Sequence, residues 1–134
     1  MILKILIMIP DGIFWNNKAE EIILPTNTGQ IGILKNHAPL ITALDIGVIL
    51  IRTDKKWVPF IIMGGFALIK QNKITILVNG AESAGTLKLV QSEAAFQEAT
   101  NKLENAKSKK QYVDALFLFK CAKARYQAAK QLVS

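Results

Sequence analysis

The sequence predicts an all-β sandwich or barrel over about residues 1–80, followed by an antiparallel pair of helices. Three observations carry that prediction. Short β-branched and apolar runs recur every eight to twelve residues, with turn residues between them. Glycine stops after Gly85 and proline after Pro59. Beyond them Ala, Lys, Gln and Leu take over, all good helix formers.

In chain order, residues 2–9 are apolar at nearly every position, as in a strand covered on both faces. Pro10, Asp11 and Gly12 form a turn, residues 13–15 a second short strand, and Asn16 and Asn17 the next turn. A third strand over 19–24 carries Glu20 and Glu21, and residues 25–29 are a turn cluster. Residues 30–34 are the fourth strand. Lys35, Asn36, His37, Ala38 and Pro39 then form an exposed loop, since proline cannot donate to a ladder and belongs at a strand edge or start. A strand over 40–44 follows, and Asp45 and Gly47 break it before 48–53. After the polar turn of Asp54, Lys55 and Lys56, residues 57–63 return as a strand, which Pro59 places at an edge. Gly64 and Gly65 mark a bend or bulge. A hairpin of residues 66–69 and 74–78, turning at Gln71 and Asn72, completes the β part.

The helical part opens at Ser92, where Ala95 three residues on makes only half of a capping box. Ala95, Ala99, Leu103 and Ala106 recur at helical spacing as a narrow, small-residue stripe. Lys107, Ser108, Lys109 and Lys110 contain no apolar member and read as a link. From Gln111 a second stripe follows, of Ala115, Leu118, Ala122, Tyr126, Ala129 and Val133, broadened by Leu116, Phe117 and Phe119. Two helices of about 15 and 20 residues pair as a hairpin with little core of its own. It must lean on the β part, on a partner, or on each in turn.

Composition narrows the function. With 51% hydrophobic residues in 134, there is enough apolar material for a core. Cys121 stands alone, so no intrachain disulfide forms and a reducing compartment is expected. The abundance of Ile, Asn and Lys suits an AT-rich coding genome, as organelles and some bacteria have. The net charge of +7 divides into +2 over residues 1–86 and +5 over 87–134, so an acidic partner meets the C-terminal part first. The opening MILKILIMIP is short, interrupted by Lys4 and closed by Pro10, without a small-residue cleavage pattern. We expect a soluble, unprocessed chain that can still sit on a membrane complex, since no run nears the ~20 residues that span a bilayer.

No catalytic constellation is visible. His37 is the only histidine, with no Cys or carboxylate at ligand spacing, so no metal site is expected. Glu20 and Glu21 are adjacent, and on a strand they face opposite ways, which excludes an acid/base dyad. Gly29 with Gly32 is no nucleotide fingerprint, Gly64 and Gly65 precede neither lysine nor helix, and no nucleophile elbow occurs. The basic hairpin leaves three readings open: a site for phosphate backbone, an ordinary solvated helical face, and a site for an acidic protein partner. Arginine occurs only at Arg52 and Arg125, and no surface aromatics interleave the lysines, which weighs against base readout.

One stretch is more specific. GQIGILKNHAPLITALDIGVI, preceded by EEIILPTNT and followed by IIMGGFALI and NKITILVNGAE, closely resembles the epsilon subunit of F-type ATP synthases, in its plastid-encoded form. The GxxG, NHAPL and GGFA elements, taken together and in order, carry the likeness. It implies a non-catalytic rotor subunit without cofactor. A sandwich of about ten strands, residues 1–84, would bind the gamma subunit and sit on the c-ring. A regulatory hairpin, residues 85–134, would reach the alpha/beta catalytic head and restrain ATP hydrolysis, on the stromal side of the thylakoid membrane. The loop with Gln30, Ile31 and Gly32, together with Asn36 and His37, would face the ring. Lys109, Lys110, Lys120, Lys123 and Arg125 would meet an acidic segment of the catalytic beta subunits. Lys35 departs from the family, which usually has proline before NHAPL. The helix motif I/L-D-x-x-R-A that binds ATP in some bacterial members begins at Val113 and Asp114, but Phe117 and Leu118 replace its Arg and Ala, so no nucleotide site is expected. The alternative to the family reading is a stand-alone basic module for nucleic acid or an anionic membrane surface.

Overall fold

Side-chain alternation builds the front half of the chain, which a computed structural model describes over residues 2–133. In strand β1 (Leu3–Ile9) the odd positions Leu3, Ile5 and Ile7 are fully buried, while Lys4, Leu6 and Met8 face out. The other strands are β2 (Gly12–Ala19), β3 (Glu21–Thr26), β4 (Gly29–Leu34), β5 (Leu40–Thr53), β6 (Lys56–Lys70), β7 (Lys73–Val78) and β8 (Ala81–Ser83). They hydrogen-bond in the order β2-β1-β7-β6-β5-β3-β4, with β8 added to β6. Every pairing is antiparallel except β1 with β7.

This one sheet folds over on itself. Ile5, Ile7, Ile74 and Ile76 from β1 and β7 share a core with Ile22, Leu24 and Ile33 from β3 and β4, at the far end of the strand order. Phe14 and Trp15 of β2 likewise meet Phe60 of β6, with ring centroids 5.7 and 5.5 Å apart. The first layer is therefore β2, β1, β7 and the Gly65–Lys70 and Leu40–Leu44 ends of the long hairpin. The second is β8, β3, β4 and the remainder of β5 and β6. The sandwich expected from the sequence is present.

The bend lies where two strands were expected to stop. Asp45 and Gly47 do not end β5, and Gly64 and Gly65 do not end β6; each pair of short predicted strands is one strand of 14 or 15 residues. Pairing passes from Leu44↔Gly65 to Ile46↔Met63, leaving Asp45 and Gly64 as the kink. Gly65 has φ +153, and a Cβ there would collide with the Leu77 carbonyl oxygen across the β6–β7 ladder. Other boundaries move as well. Asn16 and Asn17 lie inside β2 instead of turning, and the next strand starts at Glu21. β8 was not foreseen. β6 is interior to the sheet, contrary to the edge position expected from Pro59, yet β8 reaches only Phe60, so the sheet is one-sided at the proline itself. The Asp54-Lys55 and Gln71-Asn72 turns both have two positive φ values, the mirror-image turn that suits the twist of a hairpin.

The helices are α1 (Leu89–Glu104) and α2 (Lys109–Val133). α1 starts three residues before the predicted Ser92, at a Lys88 cap that makes no side-chain bond; Ser92 is buried inside the helix. The cap chemistry is at α2. Ser108 Oγ accepts from the Gln111 N–H at 3.1 Å, and Gln111 Oε1 accepts from the Lys107 N–H at 3.0 Å, so Lys109 and Lys110 belong to the helix and not to the link.

α2 is buried on two sides, where one stripe was expected. Ala122 and Ala129 of the predicted stripe are buried, but Leu118 is exposed, as is Ala95 on α1; the side chain of Val133 lies outside the described residues. The unforeseen side packs on the sandwich: Ala124 and Ala128 form a small second cluster with Ile61 and Ala84, separate from the main core. Phe96 closes the helix pair, its ring 5.5 Å from Phe119 and 5.6 Å from Tyr126.

Candidate docking surfaces

Cross-strand register turns the outer face of the first layer into rows. One row is Asn16, Leu6, Thr75, Leu68 and Ile41; the next is Ile13, Met8, Leu77, Phe66 and Ala43. Ile41 is 72% exposed and Phe66 59%. Ile13, Leu68 and Leu77 are exposed too, and a concavity of ≈ 390 Å³ opens among Met8, Phe66 and Leu77. A contiguous apolar face of this kind marks a contact surface. The sequence carried the signal. β1 is apolar at nearly every position, but only its inner side is fully buried; Leu6 and Met8 on the outer side stay partly exposed.

The five residues expected to face the ring lie in one continuous segment but not in one loop. Gln30, Ile31 and Gly32 belong to β4, which ends the strand order and so has a free edge. Asn36 and His37 lie in the loop after it. There the Asn36 N–H, at φ 64, donates to Asn72 Oδ1 at 2.6 Å, and His37 Nδ1 donates to the Ala38 carbonyl at 2.7 Å. Thus Gln30 and His37 sit toward opposite ends of a strand that rises about 3.3 Å per residue.

The five basic residues expected to meet the catalytic head also divide. Lys109, Lys110 and Lys123 are exposed. Arg125 instead grips Glu82 of β8 with both arms of its fork, Nε to Oε1 at 2.9 Å and Nη2 to Oε2 at 2.6 Å. Lys120 reaches Asp45 Oδ1 at 3.5 Å. Glu82 and Asp45, neither of them among the predicted site residues, thus hold α2 against the sandwich. The guanidinium holds the Glu82 carboxyl below its ordinary value, and Glu82 in turn raises Arg125. Beside them Cys121 is 4% exposed, its Sγ 3.6 Å from Met63 Sδ; burial pushes its thiol up. Gln30, Asp45, Lys120 and Lys123 border one groove of ≈ 290 Å³ between sandwich and α2, which places one of the predicted ring-facing residues beside two of the predicted head-facing ones. Val113, Asp114, Phe117 and Leu118, the positions of the degenerate nucleotide motif, lie on α2 with Val113, Phe117 and Leu118 exposed.

Among the described residues no group of three or more His, Cys, Asp or Glu could hold a metal ion, and no helix is long and apolar enough to cross a membrane. The sequence model of the ATP synthase delta/epsilon chain β-sandwich domain matches residues 2–84. A chloroplastic ATP synthase epsilon chain from Chlorella vulgaris is 64% identical over 132 residues, 98% of each chain. The chain belongs to the ATP synthase epsilon family.

A second chloroplastic epsilon chain, from Tupiella akineta, is 59% identical over 127 residues, 95% of this chain and 98% of that one. In fold, a chain of the Euglena gracilis mitochondrial ATP synthase assembly with OSCP, F1 and c-ring superposes with a TM-score of 0.81 at 16% identity, over 99% of this chain and 82% of that one. The epsilon family supplies a structural and regulatory subunit of the rotary enzyme, not its catalyst, and these epsilon relatives are plastid proteins. The reading as a free-standing nucleic-acid or membrane module is not favoured.

Proposed function

We propose that this chain is the central-stalk subunit of a plastid ATP synthase that seats the gamma subunit on the apolar outer face of its first layer. The observation that carries this is the face itself: five exposed large apolar side chains in two adjacent cross-strand rows, on a sheet whose other side is a packed core. The free edge of β4, with Gln30, Ile31 and Gly32, and the loop with Asn36 and His37 meet the c-ring, on the stromal side of the thylakoid membrane. Residues 1–84 act as a stiff body, because an interior packed at crystal-like density transmits load.

Residues 85–134 restrain ATP hydrolysis by exchanging one set of contacts for another. In the folded posture Lys120 and Arg125 are held by Asp45 and Glu82, while Lys109, Lys110 and Lys123 stand free to meet the acidic segment of the beta subunits. A small alanine contact and two partly exposed ion pairs are weak enough for a few kcal/mol of differential binding to release them.

Association with purified gamma subunit tests the docking. Phe66→Ser with Leu68→Ser should abolish capture of gamma while leaving the circular dichroism of the free chain unchanged; undiminished capture would sink the assignment of this face. Truncation after Thr86, which keeps Glu82 and β8, tests the restraint: hydrolysis by the reconstituted enzyme should rise, and an unchanged rate retires the brake.

A further inference from the structure

The same outer face carries a third row with different chemistry. Lys18 of β2 lies directly opposite Lys4 of β1, Lys4 is in register with Lys73 of β7, and Lys73 is opposite Lys70 of β6. Four neighbouring strands thus each contribute one lysine to a single line. At the ordinary strand spacing of about 4.8 Å the line is about 14 Å long. All four are exposed, and among the described residues none makes an ion pair. No acidic residue occurs in this row or in the two apolar rows beside it.

Like charges placed directly opposite each other across strands destabilise a sheet. Three such pairs in succession work against folding of the free chain, and a counter-charged surface laid along them relieves the repulsion. We propose that the lysine ladder is the charged border of the docking face and that it receives a row of carboxylates on a protein partner, carried by an α-helix that crosses the strands.

The geometry favours this occupant. Carboxylates at i, i+3 or i+4, and i+7 on a helix are about 5–6 Å apart, close to the spacing of the ladder across strands. Extended strands put same-side residues about 6.6 Å apart, a poorer match. An apolar area with charge along one border has the anatomy of a protein interface, apolar in the middle and polar at the rim. A phosphate backbone would cover the lysines and leave Phe66, Leu68 and Leu77 in water.

The proposal rests on the reading of this face as the docking face, and the test separates the two. Lys4→Glu with Lys70→Glu converts the line to alternating signs. Binding of the full chain to ATP synthase stripped of this subunit is measured at low and high salt. The double variant should bind about tenfold or more weakly at low salt and lose most of its salt dependence. Its free chain should melt about 1–5 °C higher, because each like-charged pair becomes an attractive one. Gaining stability while losing affinity is a result that a merely structural role cannot give. Lys56→Glu, an exposed lysine off the row, should change neither.

Wild-type affinity with an unchanged salt slope in the double variant overturns the ladder. If Phe66→Ser with Leu68→Ser also binds normally, the docking face falls with it; if that variant alone loses binding, only the ladder falls. Vesicles of phosphatidylcholine with a quarter phosphatidylglycerol form the third arm. Capture there that the double variant loses, with enzyme binding intact, would assign the row to the membrane and overturn the proposal.

Discussion

Arg125 and Glu82 are partners across 43 residues of sequence, and both side chains remain more than a third exposed. Water therefore screens the pair, and about 1 kcal/mol is the scale of its contribution despite the two-armed geometry. Cys121, four residues before Arg125 and almost fully covered, offers a direct readout of that contribution. Arg125→Met should speed labelling of the Cys121 thiol by a neutral thiol reagent about fivefold, since labelling requires α2 to lift away. An unchanged rate would mean that the guanidinium does not hold the helix. Acid should act in the same direction. Glu82 sits below its ordinary value of 4.5 because Arg125 stabilises the carboxylate, so the contribution is complete above that value and is lost as pH falls through the lowered one. Protection factors of the α2 amides, taken relative to the intrinsic exchange rate at each pH, should fall in that acid window, and Glu82→Gln should abolish the difference.

Among the elements, α2 and the long hairpin differ most from what local sequence suggests. Ser108 and Gln111 form a capping pair that was present in the sequence, but the lysines between and around them read as a solvated link. Ser108→Ala should cost about 1 kcal/mol, seen as a melting temperature lower by about 3 °C. β5 and β6 were cut in two because Asp45, Gly47, Gly64 and Gly65 are turn residues in isolation. In the sheet each strand's kink is matched by its partner's, and that information lies some twenty residues away. Gly65→Ala should cost several kcal/mol and release β7 from β6, because the Leu77 carbonyl occupies the space of any Cβ. Urea unfolding would measure it, and a loss under about 1 kcal/mol would show that the strand can shift.

For the whole molecule, the division into a β body and a helical tail was legible because composition changes sharply after Gly85. Which side chains dock was legible only in part. The lysines of the tail could be counted, but the capture of Lys120 by Asp45, 75 residues away, depends on tertiary folding. The apolar rows were half visible in β1 and completed only by the register of its neighbours. The two halves also share a surface: Ile61 is fully buried beneath Ala124 and Ala128. The chain truncated after Thr86 should accordingly stay folded but melt at a lower temperature than the full chain, by scanning calorimetry.

The long hairpin of β5 and β6 belongs to both layers. In a sandwich whose two sheets are joined only by loops, a sideways force on one is resisted by side-chain packing and by whatever slack those loops lack. Here slippage would have to stretch two covalent backbones and tear the ladder between them, so twist delivered to one face arrives at the other without backlash.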